Sequence, residues 1–240
     1  MSWSGAVRPE WINLSQPVME TEHMGTHGSP KIDVESINGH DRSISVTSLT
    51  MSAHSGTHMD AASHITPGGR SMDTYSISEL VGPGVVLDVQ CEDGVAVTAE
   101  RLLEGGASIS EGDVVFVHTG FAKHFGTRRY FNEHPYLSVD AAELLIGLKV
   151  RMVGMDTPTP DMPLLKRDAP FDLPIHVRLV EANVLIVENL GGELSELVGQ
   201  RLLLGILPLA VHGGDGGPGV AFGLRLEADN HRTSTAGRSA

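Results

Sequence analysis

Four side chains able to bind a metal or move a proton crowd one short stretch: His54, His58, Asp60 and His64, separated by four, two and four residues. Side chains of an extended segment alternate with period two, so all four would fall on one face. In a helix His54 and His58 would share a face and Asp60 would leave it. Gly56 and the Ser/Thr content around it disfavour a regular helix. The expected geometry is a partly extended turn bringing two imidazoles and a carboxylate together. That donor set suits Zn²⁺, and Mn²⁺ or Fe²⁺ is compatible. It also leaves coordination positions open for water and substrate. A structural zinc site more typically uses cysteines, and this chain has only Cys91. Spacing alone leaves a second reading open, in which four surface polar residues are grouped by chance.

The rest of the chain must supply a scaffold. It has 240 residues, 40% of them apolar, and a mean hydropathy near zero. These values describe a soluble globular protein with one core, a single domain spanning 1–240. A net charge of −13 repels phosphate backbones and argues against nucleic acid as a partner. The longest apolar runs, Val184 to Val187 and Leu202 to Leu207, are too short to span a bilayer, so no membrane partner is expected. Met1 to Glu10 lacks a basic start followed by an apolar stretch, so a cytoplasmic location is expected. Cys91 follows the strand-like run Val85 to Val89. A small residue at a strand end is the better reading than a nucleophile, which needs a nearby base.

Strands are expected around residues 11–14, 82–90, 114–118, 150–155, 184–189 and 220–226. Residues 42–51 suggest a bulged strand or two short ones, and 201–211 two more strands. Helices are expected over 98–104, 138–148 and 175–182, with Thr98 and Ser138 as caps. Residues 15–41 look like a long loop, and the tail from about 230 is polar and expected to fray. Strands alternating loosely with a few helices make the class α/β or mixed.

The segment from Ser52 to His64 resembles the signature of the metal-dependent cyclase superfamily, which includes bacterial kynurenine formamidase and isatin hydrolase. The shared pattern is close to His-x-Gly-Thr-His-x-Asp-x-Pro-x-His. Gly154-Met155-Asp156-Thr157-Pro158 is similar to the family's Gly-x-Asp-Thr/Ser-Pro stretch. His176 and Glu188 resemble its second metal-binding pair. Leu207-Pro208-Leu209 and Asp215-Gly216-Gly217-Pro218 resemble its closing segment. The resemblance implies an α/β domain of the swivelling β/β/α type, with central β-structure and few helices. It implies that His54, His58 and Asp60 bind one divalent ion, Zn or Mn, and that Asp60 bridges to a second held with His176 and Glu188. His64 would be the catalytic acid/base, with Glu188 sharing proton handling while acting as a ligand. The implied reaction on a small-molecule substrate is hydrolysis of an amide, lactam or ester carbonyl by metal-activated water. Family members are commonly homodimers or homotetramers.

Two departures bear on the substrate. Where formamidases carry a substrate-contacting tryptophan, this chain has His23, Met24 and His27, and Ala62 stands in place of proline. The three residues 23, 24 and 27 are the candidate substrate contacts. His118 stands where the family often has arginine; a satisfied strand-end histidine is its simpler reading. Lys123, Arg128 and Arg129 suggest a solvated surface. Gly213 to Gly217 lacks the Lys-Ser/Thr of a phosphate loop and suggests a turn, with His212 a loop histidine beside it. A cyclase or dehydratase acting on a biosynthetic intermediate, and a non-catalytic metal- or ligand-binding protein, are the competing functions.

Overall fold

The computed structural model describes residues 7–21, 28–168 and 172–228. Its strands are β1 (Val7–Asn13), β2 (Lys31–Asn38), β3 (Ser43–Thr50), β4 (His58–Asp60), β5 (Val81–Asp88), β6 (Ala96–Val97), β7 (Val114–His118), β8 (Tyr136–Leu137), β9 (Met152–Met155), β10 (Leu185–Glu188), β11 (Arg201–Pro208) and β12 (Gly216–Ala228). Its helices are α1 (Ile77–Leu80), α2 (Ala99–Leu103), α3 (Arg128–Asn132), α4 (Val139–Gly147) and α5 (Pro174–Glu181). Mixed α/β structure dominated by sheet is what the strand-rich pattern leads one to expect. Among the described residues no helix is long and apolar enough to cross a membrane.

The main sheet runs β1-β12-β11-β5-β7-β9-β10-β4, and β4 also pairs with β12. That last pairing closes β12, β11, β5, β7, β9, β10 and β4 into a ring, with β1 added outside it. β5, β7, β9 and β10 run parallel, which buries them on both faces and explains their unbroken apolar runs. Alternate residues then enter two different cores. Val86, Val114, Phe116, Met152 and Val187 pack inside the ring with Met59 and Leu204. Val85, Leu87, Val115, Val117, Val153 and Ile186 face outward, where Leu102 of α2, Leu145 of α4 and Leu179 of α5 cover them. The caps are as expected: the Thr98 and Ser138 hydroxyls accept from the amides of Arg101 and Ala141, each contributing about 1 kcal/mol.

Four features differ from expectation. Residues 15–41 are no simple loop, because β2 lies within them and pairs with β3 from Lys31↔Thr50 to Asn38↔Ser43. β3 is one unbulged strand, because it pairs residue for residue with β2 from Ser43 to Thr50. Residues 201–208 form a single strand that runs through Gly205; a Cβ there would sit 2.5 Å from the carbonyl oxygen of Leu80, so glycine marks a close backbone approach. β12 starts at Gly216, four residues before the expected Val220. Gly216, Gly217 and Pro218 have no strand propensity of their own, and it is their pairing with Asp60, Met59 and His58 that makes them a strand.

Candidate metal centre

β4 is only three residues long, yet it positions the site. Met59 points into the ring, so His58 and Asp60 on either side of it point outward. β10 lies antiparallel beside it and pairs Glu188 with His58. Val187 enters the ring core, which turns Glu188 outward as well. α5 packs on this outer face through Ile175 and Leu179 and brings His176 down onto the two carboxylates. His54 arrives from the turn before β4, and His64 from the short 3-10 turn Ala62–His64 after it.

Asp60 is the hub. Its Oδ1 lies 2.9 Å from His54 Nδ1 and 3.5 Å from His58 Nε2. Its Oδ2 lies 3.2 Å from His176 Nε2. Glu188 completes the second side, with Oε1 3.1 Å from His176 Nε2 and Oε2 3.2 Å from His58 Nε2. The donor atoms of His54, His58 and Asp60 lie within 4.8 Å of one another, as do those of Asp60, His176 and Glu188. The five residues expected as ligands are thus brought together and are all buried.

The residues around them orient the rings. His58 Nδ1 lies 2.9 Å from the Gly56 carbonyl oxygen, to which it donates, so a metal-binding His58 carries its one proton on Nδ1. The lone pair of its Nε2 then faces Glu188 and Asp60, and this buried nitrogen makes no hydrogen bond of its own. A lone pair and two carboxylates buried together repel one another unless a cation joins them. That orphaned nitrogen, with a donor set of three imidazoles and two carboxylates, fits a divalent metal. His176 Nδ1 is engaged by Asp161 Oδ2 at 2.6 Å, the carboxylate–histidine arrangement that aims a ligating ring. Asn189, with φ of 58°, donates through Nδ2 to Gly56 O at 2.9 Å and accepts from the Tyr130 hydroxyl at 3.0 Å. Thr57 Oγ1 donates to the Asn189 carbonyl and accepts from the Gln16 amide. The turn carrying His54 and His58 is therefore tied to β10 and to the chain after β1.

The electrostatics say the same. Burial pushes His58 toward the neutral form, but its contacts with Asp60 and Glu188 outweigh this and raise its pKa to about 10. Burial raises Asp60, and the neighbouring imidazoles of His176, His54 and His58 overcome it and hold that carboxyl well below the usual range. A pocket that charges its own histidines lacks positive charge, and a metal ion supplies it.

His64 is half-buried at the rim. Its Nδ1 lies 3.3 Å from Asp215 Oδ2, and its ring centroid is 4.2 Å from that of His54. It is outside both ligand groups centred on Asp60, the place expected of an acid/base, although His54, His64 and Asp215 form a third set that could hold an ion. His23, Met24 and His27, the expected substrate contacts, lie outside the described residues, as does the tail from 230.

Asp161 and Asp215 touch the candidate ligands His176 and His54, contacts that the sequence did not reveal. Asp161 is fifteen residues before His176 with no periodic relation to it, and only the packing of α5 joins them. Asp215 belongs to a glycine-rich stretch whose strand character comes from pairing. Asp156, in the segment Gly154 to Pro158, works elsewhere: it is fully buried and binds the amide and hydroxyl of Thr119 and the amide of Phe121. His118 is satisfied by Asp88 at 3.0 Å, exposed His212 by Asp73, and Arg129 pairs with Asp93. Burial raises the Cys91 thiol, whose Sγ donates to Val89 O; it is no activated nucleophile.

The chain is similar to known proteins in sequence and in fold. The Cyclase family profile matches residues 10–162. Kynurenine formamidase of Bacillus cytotoxicus is 28% identical over 212 residues, which are 87% of this chain and 94% of that protein. Among solved structures, isatin hydrolase A from Ralstonia solanacearum superposes with a TM-score of 0.75 at 23% identity, over 90% of this chain and 92% of the other. The structure of a predicted metal-dependent hydrolase from Bacillus stearothermophilus gives 0.71 at 24%, over 90% and 98%. The profile match ends before His176 and Glu188, so the second half of the donor set rests on the geometry.

Proposed function

Because this chain belongs to the cyclase family, we propose that it is a metal-dependent hydrolase that adds water across a C–N bond of a small-molecule amide, such as an aryl formamide or a lactam. The observation that carries this reading is the position of Asp60 between two donor groups, His54 and His58 on one oxygen, His176 on the other with Glu188 beside it. Zn²⁺ or Mn²⁺ bound by these five residues, as one ion or two, would supply a polarised carbonyl and water acidified to near neutrality.

The chain's own residues do the rest. Gly56, Asn189 and Asp161 fix the rings of His58 and His176, so the donors are set before substrate arrives. With Nδ1 facing Asp215, His64 keeps its other ring nitrogen for a proton. It takes one from the attacking water and returns it to the leaving nitrogen, the step that makes an amine a workable leaving group. Glu188 stands next to both His58 and His176 and can share that proton. The nearby curated relatives named kynurenine formamidase support an acyl C–N bond as the target. Cyclisation or dehydration by the same centre would yield a product that has not gained water.

The test is a screen of the purified protein, loaded with Zn²⁺ or Mn²⁺, on N-formyl anilines, cyclic imides and lactones, with products identified by mass. Turnover with the mass of one added water is expected, abolished by chelation and in His58→Ala together with bound metal. A metal-loaded protein that turns over none of these, or a product without added water, would overturn the proposal.

A further inference from the structure

A cavity of about 340 Å³ opens between α1 and α5, a size that takes a small organic molecule. Of the five candidate metal ligands only Asp60 borders it. One wall is apolar, made by Val180 of α5 with Val184 and Leu185 after it. The other is polar and carries Arg70, Tyr75, Ser78, Glu79 and Arg151.

The two arginines are in different states. Arg70 is spent: its Nη1 and Nη2 donate to Glu79 at 2.7 and 3.3 Å, and its guanidinium lies 4.1 Å over the centre of the Tyr75 ring. Arg151, the residue before β9, uses a single nitrogen. Its Nη1 donates to the carbonyls of Ser78 and Val81 at 2.8 Å each, which caps the end of α1 and fixes the guanidinium. Its Nε and Nη2 have no acceptor, and no carboxylate pairs with it, among the described residues. Tyr75 adds a donor. Its hydroxyl oxygen accepts from the Ala62 amide at 3.0 Å, which leaves its hydrogen to donate. The cavity thus holds one uncompensated positive charge, a phenol and a hydrocarbon wall.

We infer that this cavity is a second ligand site, which binds a small organic carboxylate with an apolar body. A guanidinium with two free N–H groups matches the two oxygens of a carboxylate, and Val180, Val184 and Leu185 cover the hydrocarbon part. A phosphate dianion fits worse, because the charge of Arg70 is already taken by Glu79 and the apolar wall gives a phosphate nothing. The ligand touches both sides of the metal centre. Val180 lies one turn after His176 on the same face of α5, and Tyr75 holds Ala62, the first residue of the turn that ends in His64. Amide hydrolysis, the reaction proposed above, releases a carboxylate, so the ligand is of a class the protein itself would make. The binding does not rest on that reading.

The experiment is calorimetric titration of the Zn²⁺-loaded full chain, and of His58→Ala, with benzoate, benzamide and inorganic phosphate. It reads binding and not turnover, so its failure is distinct from failure of the proposed hydrolysis. Benzoate is expected to bind both proteins equally, and benzamide and phosphate at least about tenfold more weakly, the worth of a charge-assisted hydrogen bond. Arg151→Gln should weaken benzoate by the same factor. Since Arg151 also caps α1, Ser78→Trp is the second variant; it narrows the cavity from an exposed position with Arg151 intact, and is expected to lose benzoate too. Benzoate binding that vanishes in His58→Ala places the ligand on the metal and overturns the inference. So does benzamide binding as tightly as benzoate, or benzoate affinity unchanged in Arg151→Gln and Ser78→Trp.

Discussion

Asp161 accepts a hydrogen bond from His176 Nδ1 at 2.6 Å and, through the same carboxylate, from the backbone amides of Ile175 and His176 at 2.8 and 3.0 Å. One side chain thus caps the start of α5 from a distant loop and aims the ring that α5 carries. Helix position and ligand orientation are a single device. Asp161→Asn is expected to weaken metal binding by about 10–100-fold, measured by competition with a chromophoric chelator. Asp161→Ala should also lower the unfolding free energy by about 1 kcal/mol or more through the lost cap. Wild-type metal affinity in Asp161→Asn would show that His176 needs no such aiming.

The role of His64 can be separated from that of a ligand. His64→Gln is expected to lower kcat by about 10²–10⁴-fold while metal content by elemental analysis stays at the wild-type value. If metal is lost in parallel, His54, His64 and Asp215 are a binding group and the acid/base must be sought in Glu188.

Gly216 supports His54 by having no side chain. A Cβ there would lie 2.7 Å from His54 Cε1, so Gly216→Ala should push the ring out of line and reduce metal affinity and turnover in a protein that still folds. Gly147→Ala is the control. It sits in α4 with nothing within 4 Å of the added carbon and should raise stability by about 0.5–1 kcal/mol. Equal metal affinity in the two variants would refute the steric account.

His134 sets part of the acid limit. It is buried, and that burial lowers its pKa to about 3; a nearby Glu188 only partly offsets this. The unfolded chain takes up a proton near 6.5, which the folded chain refuses until about 3. The stability that neutral His134 allows is therefore present above pH 6.5 and lost as pH falls toward 3. Its Nδ1 has no hydrogen-bond partner among the described residues, so an apolar replacement costs little. His134→Leu should flatten the decline of the unfolding midpoint between pH 6.5 and 3. An acid limb as steep as that of the wild type would place the sensitivity elsewhere.

The chemistry of this protein was legible in a few residues. His58-x-Asp60 needs only period two to put both side chains on one face, and β4 bears that out around the inward Met59. The parallel strands show as unbroken apolar runs because both their faces are buried, and Thr98 and Ser138 announce their helices because a cap is a local interaction. These are effects of neighbours in sequence, so sequence determines them. Three things were decided only in the folded chain. The ring closes at Gly216 to Pro218, residues with no strand tendency, through hydrogen bonds to β4. Asp161 meets His176 because α5 packs on Ile186 and its neighbours. β2 becomes a strand because β3 lies beside it. Each depends on partners far apart along the chain, whose meeting costs chain entropy that only the whole core repays, and no local pattern records that exchange.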